Sequence, residues 1–336
     1  MYSTITVPSS IHNYNVEFVD TLTSIEDLMR EPNTITIVDS LVADLYPRLA
    51  NGIVVEATER AKTLHGAENL LGALTAARAN VKTKLIVIGG GIIQDLAGFC
   101  ASVYARGIEY ILVPTTLLAQ GDSCVGGKTS INLNHKKNLI GTFYPPTKIL
   151  IYTEFLKTLS KVDYISGLGE LYKFSILQRT INIFDSKGDI AEMVHKGLSY
   201  KISILKRDEF DKGERRFLNY GHTFGHALES TSHNEIPHGL AVILGSMIAT
   251  RVAKELEYDV PDYLVILAKG VNLIRESKLK LKPKWFDLQN LLEVVKSDKK
   301  STGQLTMVLV DDKPFLENIE DLSIINKAIR ETYESI

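Results

Sequence analysis

The chain has 336 residues, of which 45% are hydrophobic and 23% are charged, and its formal net charge is −2 at pH 7. This length is too great for one typical core, so we predict two domains. Neither the composition nor any local run has an acidic or basic bias, which argues against nucleic acid as a partner.

The N-terminal sequence and the cysteine count both bear on where the protein is located. The first ten residues, MYSTITVPSS, lack the basic start and apolar run of a signal peptide, and the most apolar run, residues 239–249, is too short to cross a bilayer. The chain has two cysteines, Cys100 and Cys124, which indicates no disulfide framework. We therefore expect a cytoplasmic protein that is not associated with a membrane.

In the first half of the chain, β-branched runs alternate with helical patterns. Residues 68–79, ENLLGALTAARA, are amphipathic with a helical period. Four runs have the composition of strands: residues 35–39, 52–57, 84–91 and 108–116. This alternation predicts an α/β domain with a Rossmann-like parallel sheet, in which ligands bind at the carboxyl ends of the strands.

From about Phe155 onward the pattern becomes helical. Apart from QLTMVLV near the end, the second half shows little strand character. We predict an α/β domain over residues 1–153 and a mainly helical domain over residues 154–336. Because no Pro-rich or low-complexity linker separates them, we expect the two domains to abut with a cleft between them.

Three glycines, Gly89 to Gly91, follow the strand LIVI and precede a helical pattern. Such a turn lets the backbone approach a pyrophosphate, and the helix that follows offers free N–H groups. The spacing is not the usual G-x-G-x-x-G, and glycine clusters often only make turns. Asp39, which ends an earlier strand, could accept protons from ribose hydroxyls, or it could simply be a helix N-cap.

Residues 114–146 contain several donors in an otherwise apolar neighbourhood. Gly126, Gly127 and Lys128 predict a flexible loop with a cation, and Lys136, Lys137 and Asn138 follow within a dozen residues. Such donors suit an anionic substrate that carries a phosphate. The alternative is a solvated basic turn, which leaves Asp122 unexplained.

A histidine trio lies in residues 215–238. His222 and His226 are four apart and would share one helix face, and His238 follows sixteen residues after His222. These imidazoles predict a metal site, although packed or surface histidines give the same spacing. Glu170 could complete the site; the alternative for Glu170 is a surface ion pair with Lys173. If the helix extends further, Arg215 and Asn219 lie on the same stripe as the two histidines and line one wall of a pocket.

Taken together, several segments resemble the 3-dehydroquinate synthase family and, more broadly, the sugar phosphate cyclases. The resemblance extends from about residue 33 to residue 310. It rests on GGGIIQDLAGFCASVYARG, VPTTLLAQGDSCVGGKTSIN, KNLIGTFYPP, GELYK, RRFLNYGHTFGHALE and SDKK. It implies an N-terminal NAD-binding α/β domain, a helical C-terminal domain and an active site between them.

The resemblance also implies cofactor residues. Glu170, His222 and His238 would hold a divalent metal, usually zinc with cobalt as an alternative, so that His226 becomes a neighbouring catalytic group rather than a ligand. NAD contacts would fall on Asp39, Glu59, Lys62, Gly90, Gly91, Asp95, Thr115, Thr116, Asp122, Lys137, Phe155 and Thr158.

The implied reaction is the conversion of 3-deoxy-arabino-heptulosonate 7-phosphate to 3-dehydroquinate and phosphate, by transient oxidation, phosphate elimination, reduction and aldol closure in the shikimate pathway. His226 and Asp211 would be the acid/base pair. Lys201 and Arg215 would hold a substrate carboxylate, which favours this carboxylated substrate. Arg106 would reach the site of a second subunit in a homodimer. Substrate contacts would be Arg106, Asp122, Lys128, Asn138, Lys173, Lys201, Arg215, Asn219 and Lys300. The catalytic residues would be Lys128, Lys173, Lys201, Asp211, Arg215, Asn219 and His226.

Three positions depart from the family pattern. Asp211 stands where the family usually has Glu, Leu240 stands where it usually has Glu, and Lys136 replaces a glycine. These departures leave room for another sugar phosphate cyclase. A metal-dependent alcohol or glycerol dehydrogenase and a catalytically silent NAD-binding scaffold are further alternatives. A small neutral alcohol, however, needs none of the predicted phosphate- and carboxylate-binding side chains.

Overall fold

The computed structural model describes residues 2–134, 136–179, 184, 188–298 and 305–336. The chain separates into two compact units: a first unit of Met1–Thr158 with Leu205–Phe210, and a second unit of Leu159–Ile204 with Asp211–Ile336. The division at residue 153 stays a prediction. Within the described ranges, none of the helices combines the length and apolar composition that a membrane crossing requires.

The first unit contains a seven-stranded sheet in the order β1-β2-β9-β6-β5-β3-β4. β1 pairs antiparallel with β2, and the other pairs are parallel. The predicted parallel sheet is therefore confirmed, with each of the four predicted strands in it. The strands are β1 (Ile5–Val7), β2 (Tyr14–Phe18), β3 (Thr34–Asp39), β4 (Ile53–Val55), β5 (Lys84–Gly89), β6 (Glu109–Pro114) and β9 (Lys148–Ile151).

Among the described residues, the α-helices of this unit are α1 (Thr23–Met29), α2 (Ser40–Leu45), α3 (Leu64–Ala76) and α4 (Gly91–Val103). Residues 85–88 of the central strand β5 are fully buried, as expected of a parallel strand with both faces covered. The chain leaves β3 toward β4 and leaves β5 toward β6, in opposite directions along the sheet. The crevice between the carboxyl ends of β3 and β5 is therefore the topological switch point, where ligands of such sheets bind.

A two-stranded hairpin, β7 (Lys128–Leu133) and β8 (Lys136–Phe143), stands apart from this sheet. The prediction of a flexible loop around Lys128 is wrong: Gly126 and Gly127, with φ of +105° and +63°, turn the chain into β7, which begins at Lys128. Only glycine adopts such values freely. The pairing register shifts between Ile131 and Leu133, which places a bulge at Asn132.

The second unit is mainly helical, as predicted. Its described elements are α5 (Lys161–Leu177), α6 (Ile190–Leu205), α7 (His222–Thr231), α8 (His238–Glu255), α9 (Tyr263–Ser277), α10 (Leu288–Asp298), α11 (Leu322–Glu334) and the antiparallel pair β10 (Leu305–Val310) and β11 (Pro314–Ile319). β10 is the predicted strand QLTMVLV, and β11 is additional. The apolar residues 240–244 of α8 are fully buried, so this helix forms the centre of the unit.

The single helical stripe predicted from Arg215 to His226 is wrong. Residues Glu214–Asn219 form a 3-10 helix, and Gly221 then adopts a left-handed conformation with φ of +76° before α7 begins at His222. A Cβ at Gly221 would lie 2.3 Å from Ser246 Oγ of α8. The chain therefore changes direction between Asn219 and His222, and only the histidine pair shares one helix face.

Helices α5 and α8 approach closely through two glycines. A Cβ built on Gly169 would lie 2.1 Å from the carbonyl oxygen of Gly239, and one built on Gly239 would lie 1.7 Å from that of Ser166. These atoms belong to the backbone and cannot move aside cheaply. Because Glu170 follows Gly169 and His238 precedes Gly239, this crossing brings those two side chains together.

We predict that Gly169→Ala destabilises the protein by about 1–3 kcal/mol, because the added methyl group forces α5 and α8 apart. Scanning calorimetry of the thermal midpoint measures the effect. Gly72→Ala on α3 is the control: no atom lies within 4 Å of its Cβ position, so alanine there should stabilise the helix by about 0.5–1 kcal/mol. A Gly169→Ala variant that melts at or above the wild-type temperature would contradict the crossing.

Candidate functional site

Three side chains from three helices converge in the second unit. Glu170 Oε1 lies 3.2 Å from His238 Nε2 and 3.5 Å from His222 Nε2. One donor atom of each residue lies within 4.8 Å of those of the other two. A carboxylate with two imidazoles is a ligand set of catalytic zinc sites, which leave a position open for water or substrate. The structure thus brings together the predicted metal residues.

The second nitrogen of each imidazole is already hydrogen-bonded. His222 Nδ1 lies 3.1 Å from the carbonyl oxygen of Tyr220, and His238 Nδ1 lies 2.8 Å from Glu229 Oε2. We assign Nδ1 as a protonated donor in both rings, since its partners are acceptors. Nε2 then faces Glu170, and loss of its proton would free a lone pair for a metal. Metal-ligating histidines are oriented in this way by carbonyl and carboxylate partners, so the residues present fit a divalent metal.

Glu170 is a charged carboxylate with an exposed fraction of only 1%. It forms an ion pair with Lys173, which is 2% exposed, so the predicted surface ion pair is in fact buried. Burial alone raises the pKa of Glu170, but Lys173 and the hydrogen bonds from His222 and His238 outweigh it and hold the pKa well below its usual range. Glu170 is therefore an anion, as a metal ligand must be.

His226 lies beside this cluster, with its ring centroid 5.1 Å from that of His222 and 5.9 Å from that of His238. Although the His226 side chain is exposed, the surrounding protein atoms desolvate its ring, and this effect together with the other two imidazoles lowers its pKa to about 4. Burial also lowers the pKa of His238, but its bonds to Glu170 and Glu229 more than offset this and raise the pKa to about 10. His226, Glu229 and His238 form a second possible group, which shares His238 with the first.

The other predicted residues of the second unit differ in exposure. Lys201 on α6 and Arg215 in the 3-10 helix are buried, at 7% and 4% exposed. Asn219 is exposed, and Asp211 is half-buried with a left-handed φ of +61°. Leu240, in place of the family's Glu, is fully buried in α8. Lys300 lies outside the described residues.

In the first unit, Asp39 and the glycine turn lie at the ends of β3 and β5, on either side of the switch-point crevice. Asp39 Oδ1 accepts from Leu41 N at 3.0 Å and so caps α2. Gly90 precedes α4 without a side-chain cap, and a Cβ at Gly91 would meet only Ser123 Oγ, at 3.7 Å. An uncapped helix start with open space above it fits a pyrophosphate.

A hydrogen-bond network joins predicted cofactor and substrate residues of this unit. Lys62 Nζ donates to Asp95 Oδ2 at 2.5 Å and to Asn138 Oδ1 at 2.6 Å. Ser130 Oγ also donates to Asn138 Oδ1, at 2.9 Å. Burial raises the pKa of Asp95, and Lys62 partly offsets this. The buried Lys62 ammonium therefore links Asp95, which is predicted to contact NAD, with Asn138, which is predicted to bind phosphate.

The remaining predicted residues are distributed along the first unit. Thr115 is buried, and Thr116 Oγ1 accepts from Ala119 N at 3.2 Å. Phe155 is buried, and Thr158 Oγ1 donates to its carbonyl oxygen at 2.8 Å. Three predicted cations, all with exposed side chains, are Arg106, Lys128 and Lys137. Glu59 is exposed and Asp122 is half-buried.

Sequence reasoning missed three residues that support this site. Glu229 lies seven residues after His222 on α7, so helical periodicity could have identified it as facing the histidines. Ser130 and Asn132 bond to predicted site residues from β7. No sequence signal pointed to them, because the hairpin was predicted as a loop.

Comparison with protein families gives two adjacent matches. Residues 52–166 match the N-terminal family model of 3-dehydroquinate synthase, and residues 167–301 match the C-terminal model. The 3-dehydroquinate synthase of Alkaliphilus metalliredigens is 36% identical over 79% of this chain and 77% of its own. That of Helicobacter pylori strain HPAG1 is 36% identical over 89% of this chain and 90% of its own.

Among solved structures, a 2-deoxy-scyllo-inosose synthase complexed with carbaglucose-6-phosphate, NAD+ and Co2+ superposes with a TM-score of 0.82. It is 26% identical and covers 98% of this chain and 100% of its own. This similarity extends the family relationship to the wider group of cyclases that the sequence motifs indicated.

We predict that Glu229→Gln lowers zinc affinity about 10- to 100-fold, because the loss of the carboxylate partner weakens the orientation and basicity of His238. His222→Ala, which removes a ligand, should abolish stoichiometric binding. Competition with a chromophoric chelator measures both. Glu276→Gln, an exposed change on α9, serves as the control. Unchanged zinc affinity in Glu229→Gln would contradict the role of Glu229, and full zinc content in His222→Ala would remove His222 from the ligand set.

Proposed function

Because the chain belongs to the 3-dehydroquinate synthase family, we propose that it converts 3-deoxy-arabino-heptulosonate 7-phosphate to 3-dehydroquinate and phosphate. The observation that carries the proposal is the convergence of Glu170, His222 and His238, with both imidazole Nδ1 atoms held by acceptors. Transient oxidation of a ring hydroxyl, phosphate elimination, reduction and aldol closure make up the reaction.

We assign the metal to the second unit and NAD to the first. When bound, NAD supplies the hydride acceptor and donor, and the divalent metal, zinc or cobalt, supplies Lewis acidity. Glu170 and the two histidines would hold the metal. The α4 start at Gly90 and Gly91 would hold the pyrophosphate, and Asp39 retains one carboxylate oxygen for a ribose hydroxyl while the other caps α2.

Phosphate binding is assigned to polar side chains of the first unit. Asn138 Oδ1 accepts from both Lys62 and Ser130, so the amide is oriented with its Nδ2 group as the remaining donor. Lys128 contributes an exposed ammonium at the start of β7. These groups would bind the leaving phosphate and stabilise the charge that develops on it.

Proton transfers are assigned to His226 and Asp211. The ring centroid of His226 lies 5.1 Å from that of His222 and 5.9 Å from that of His238, which supports a role for its imidazole in removing and returning a substrate proton beside the metal site. Asp211 is one methylene shorter than the glutamate usual in the family. Its left-handed backbone, with φ of +61°, directs the side chain differently from an ordinary helical or extended residue.

Carboxylate binding is assigned to Arg215 and Lys201. Both cations are buried, where a charge-assisted hydrogen bond to a carboxylate is stronger than at the surface. An acidic substrate such as the heptulosonate supplies that carboxylate, whereas sedoheptulose 7-phosphate does not. These cations therefore favour the acidic substrate over those of other cyclases, and over the small alcohols of metal-dependent dehydrogenases.

We further propose that the enzyme is a cytoplasmic homodimer. Ala105, Arg106 and Gly107 adopt consecutive positive φ values of +49°, +69° and +121°, a costly conformation that displays the exposed Arg106 side chain. A contribution of Arg106 to a second subunit explains such a turn. Both cysteines are free thiols, as is usual in a reducing compartment.

We predict phosphate release from 3-deoxy-arabino-heptulosonate 7-phosphate, but not from sedoheptulose 7-phosphate, when the purified protein is assayed with NAD and zinc. The buried Arg215 and Lys201 select for the carboxylate that only the first substrate carries. Release from the second substrate alone would replace the proposed activity by that of another cyclase. Release of NADH to solution on a simple alcohol, without phosphate release from either sugar, would favour a dehydrogenase.

We predict that Arg215→Ala raises KM for the acidic substrate about 10- to 100-fold, because a charge-assisted hydrogen bond is lost. A neutral analogue, in which a hydroxymethyl group replaces the carboxylate, should lose much less affinity on the same substitution, measured as its inhibition constant as a competitive inhibitor. Arg216→Ala, at the exposed neighbouring position, is the matched control. Equal losses for the acidic and the neutral ligand would remove Arg215 from the carboxylate site.

A further inference from the structure

Asn132 lies at the bulge of β7, outside the regular pairing of the hairpin. Its backbone N–H donates not to β8 but to the carbonyl oxygen of Lys62, at 2.8 Å, and the residue forms an isolated bridge with Thr63. The bulge thus frees Asn132 from the hairpin ladder and connects it to the segment that precedes α3.

The side chain of Asn132 bonds to two further residues, one at each end of its amide. Nδ2 donates to Glu59 Oε2 at 2.6 Å. Oδ1 accepts from the backbone N–H of Asn138, at 3.0 Å. A side-chain amide is one of the few groups that can donate and accept at once in this geometry.

All three partners of Asn132 are residues assigned above to ligands. Glu59 and Lys62 are assigned to NAD, and Asn138 is assigned to phosphate. Asn138 has a left-handed φ of +56°, a conformation that needs local support, and its N–H is held by Asn132 while its Oδ1 is held by Lys62 and Ser130. The backbone and the side chain of Asn138 are therefore fixed separately.

We propose that Asn132 is a positioning residue that holds the NAD-binding segment, residues 59–62, and the phosphate-binding Asn138 in one fixed arrangement. This inference rests on the proposed function, since it assumes that these residues bind NAD and phosphate. Asn132 acts through its neighbours and needs no contact with either ligand. Its loss lets Glu59 and Asn138 sample other conformations, and the ligands must then order them again on binding.

The first test is direct binding of NAD to Asn132→Ala, measured by calorimetry without substrate. We expect the Kd for NAD to rise about tenfold, as for loss of a hydrogen bond to a charged group, with the thermal midpoint close to that of wild type. In the phosphate-release assay, KM should rise more than kcat falls. Asn69→Ala is the control: Asn69 is exposed on α3 of the same unit and bonds only to His65 in the described structure.

A rescue experiment separates positioning from general loss of structure. Asn132→Asp places two carboxylates where Asn132 and Glu59 are 2.6 Å apart, and their repulsion should weaken NAD binding further. Combining Asn132→Asp with Glu59→Gln restores the pair with donor and acceptor exchanged. Because Glu59 is itself assigned to NAD, Glu59→Gln alone is the reference, and the double variant should bind NAD more tightly than the two single losses added together predict.

The outcomes separate this inference from the proposed function. A Kd for NAD of Asn132→Ala within twofold of the Asn69→Ala control, or losses in Asn132→Asp and Glu59→Gln that simply add in the double variant, overturns the role of Asn132 and leaves the proposed function standing. If wild type and the Asn69→Ala control bind no NAD and release no phosphate, the proposed function falls, and the role of Asn132 falls with it.

Discussion

The buried carboxylate of Glu170 is the constraint on which the second unit depends. An ionised carboxylate with almost no exposed surface is costly unless cations or hydrogen-bond donors surround it. Its partners come from its own helix, α5, in Lys173 and from α7 and α8 in His222 and His238. Three helices must therefore meet at one point, and the glycine contact between α5 and α8 lets them do so. The close packing of α5 against α8 and the need to neutralise Glu170 therefore require the same arrangement of helices.

The sequence predicted most reliably the parts whose physics is local. Strands β5 and β6 are covered on both faces, so each has a continuous apolar run that composition alone reveals. The hairpin β7–β8 was missed because β7, with the sequence KTSINL, is largely polar, and β8 is mostly exposed, so neither strand has a clear apolar pattern in the sequence. Spacing found the histidine pair, but not the left-handed turn at Gly221 that separates it from Arg215. The choice of His238 over His226 as a ligand came from family resemblance, because it depends on contacts distant in sequence.

The first unit shows how a fold can prepare a site with few residues. Lys62, Asn132 and Asn138 lie on different segments, yet each bonds to at least one of the others. The ammonium of Lys62 is buried and shared between a carboxylate and an amide, so it has little freedom to move when a ligand arrives. Because this network already orders the side chains when the protein folds, less conformational entropy is lost when a ligand binds, and the affinity is higher.

The ion pair between Glu170 and Lys173 has a consequence for how the protein acquires its metal. In small zinc domains the ligands repel or lack partners without the ion, so folding waits for it. Here an ammonium of the same helix already neutralises the anionic ligand, and acceptors on α7 and in the preceding turn already orient both imidazoles. The chain can therefore fold first and bind its metal ion afterwards. Cellular supply of zinc or cobalt would then decide which ion occupies the finished protein, and exchange of one for the other would not require the helices to come apart.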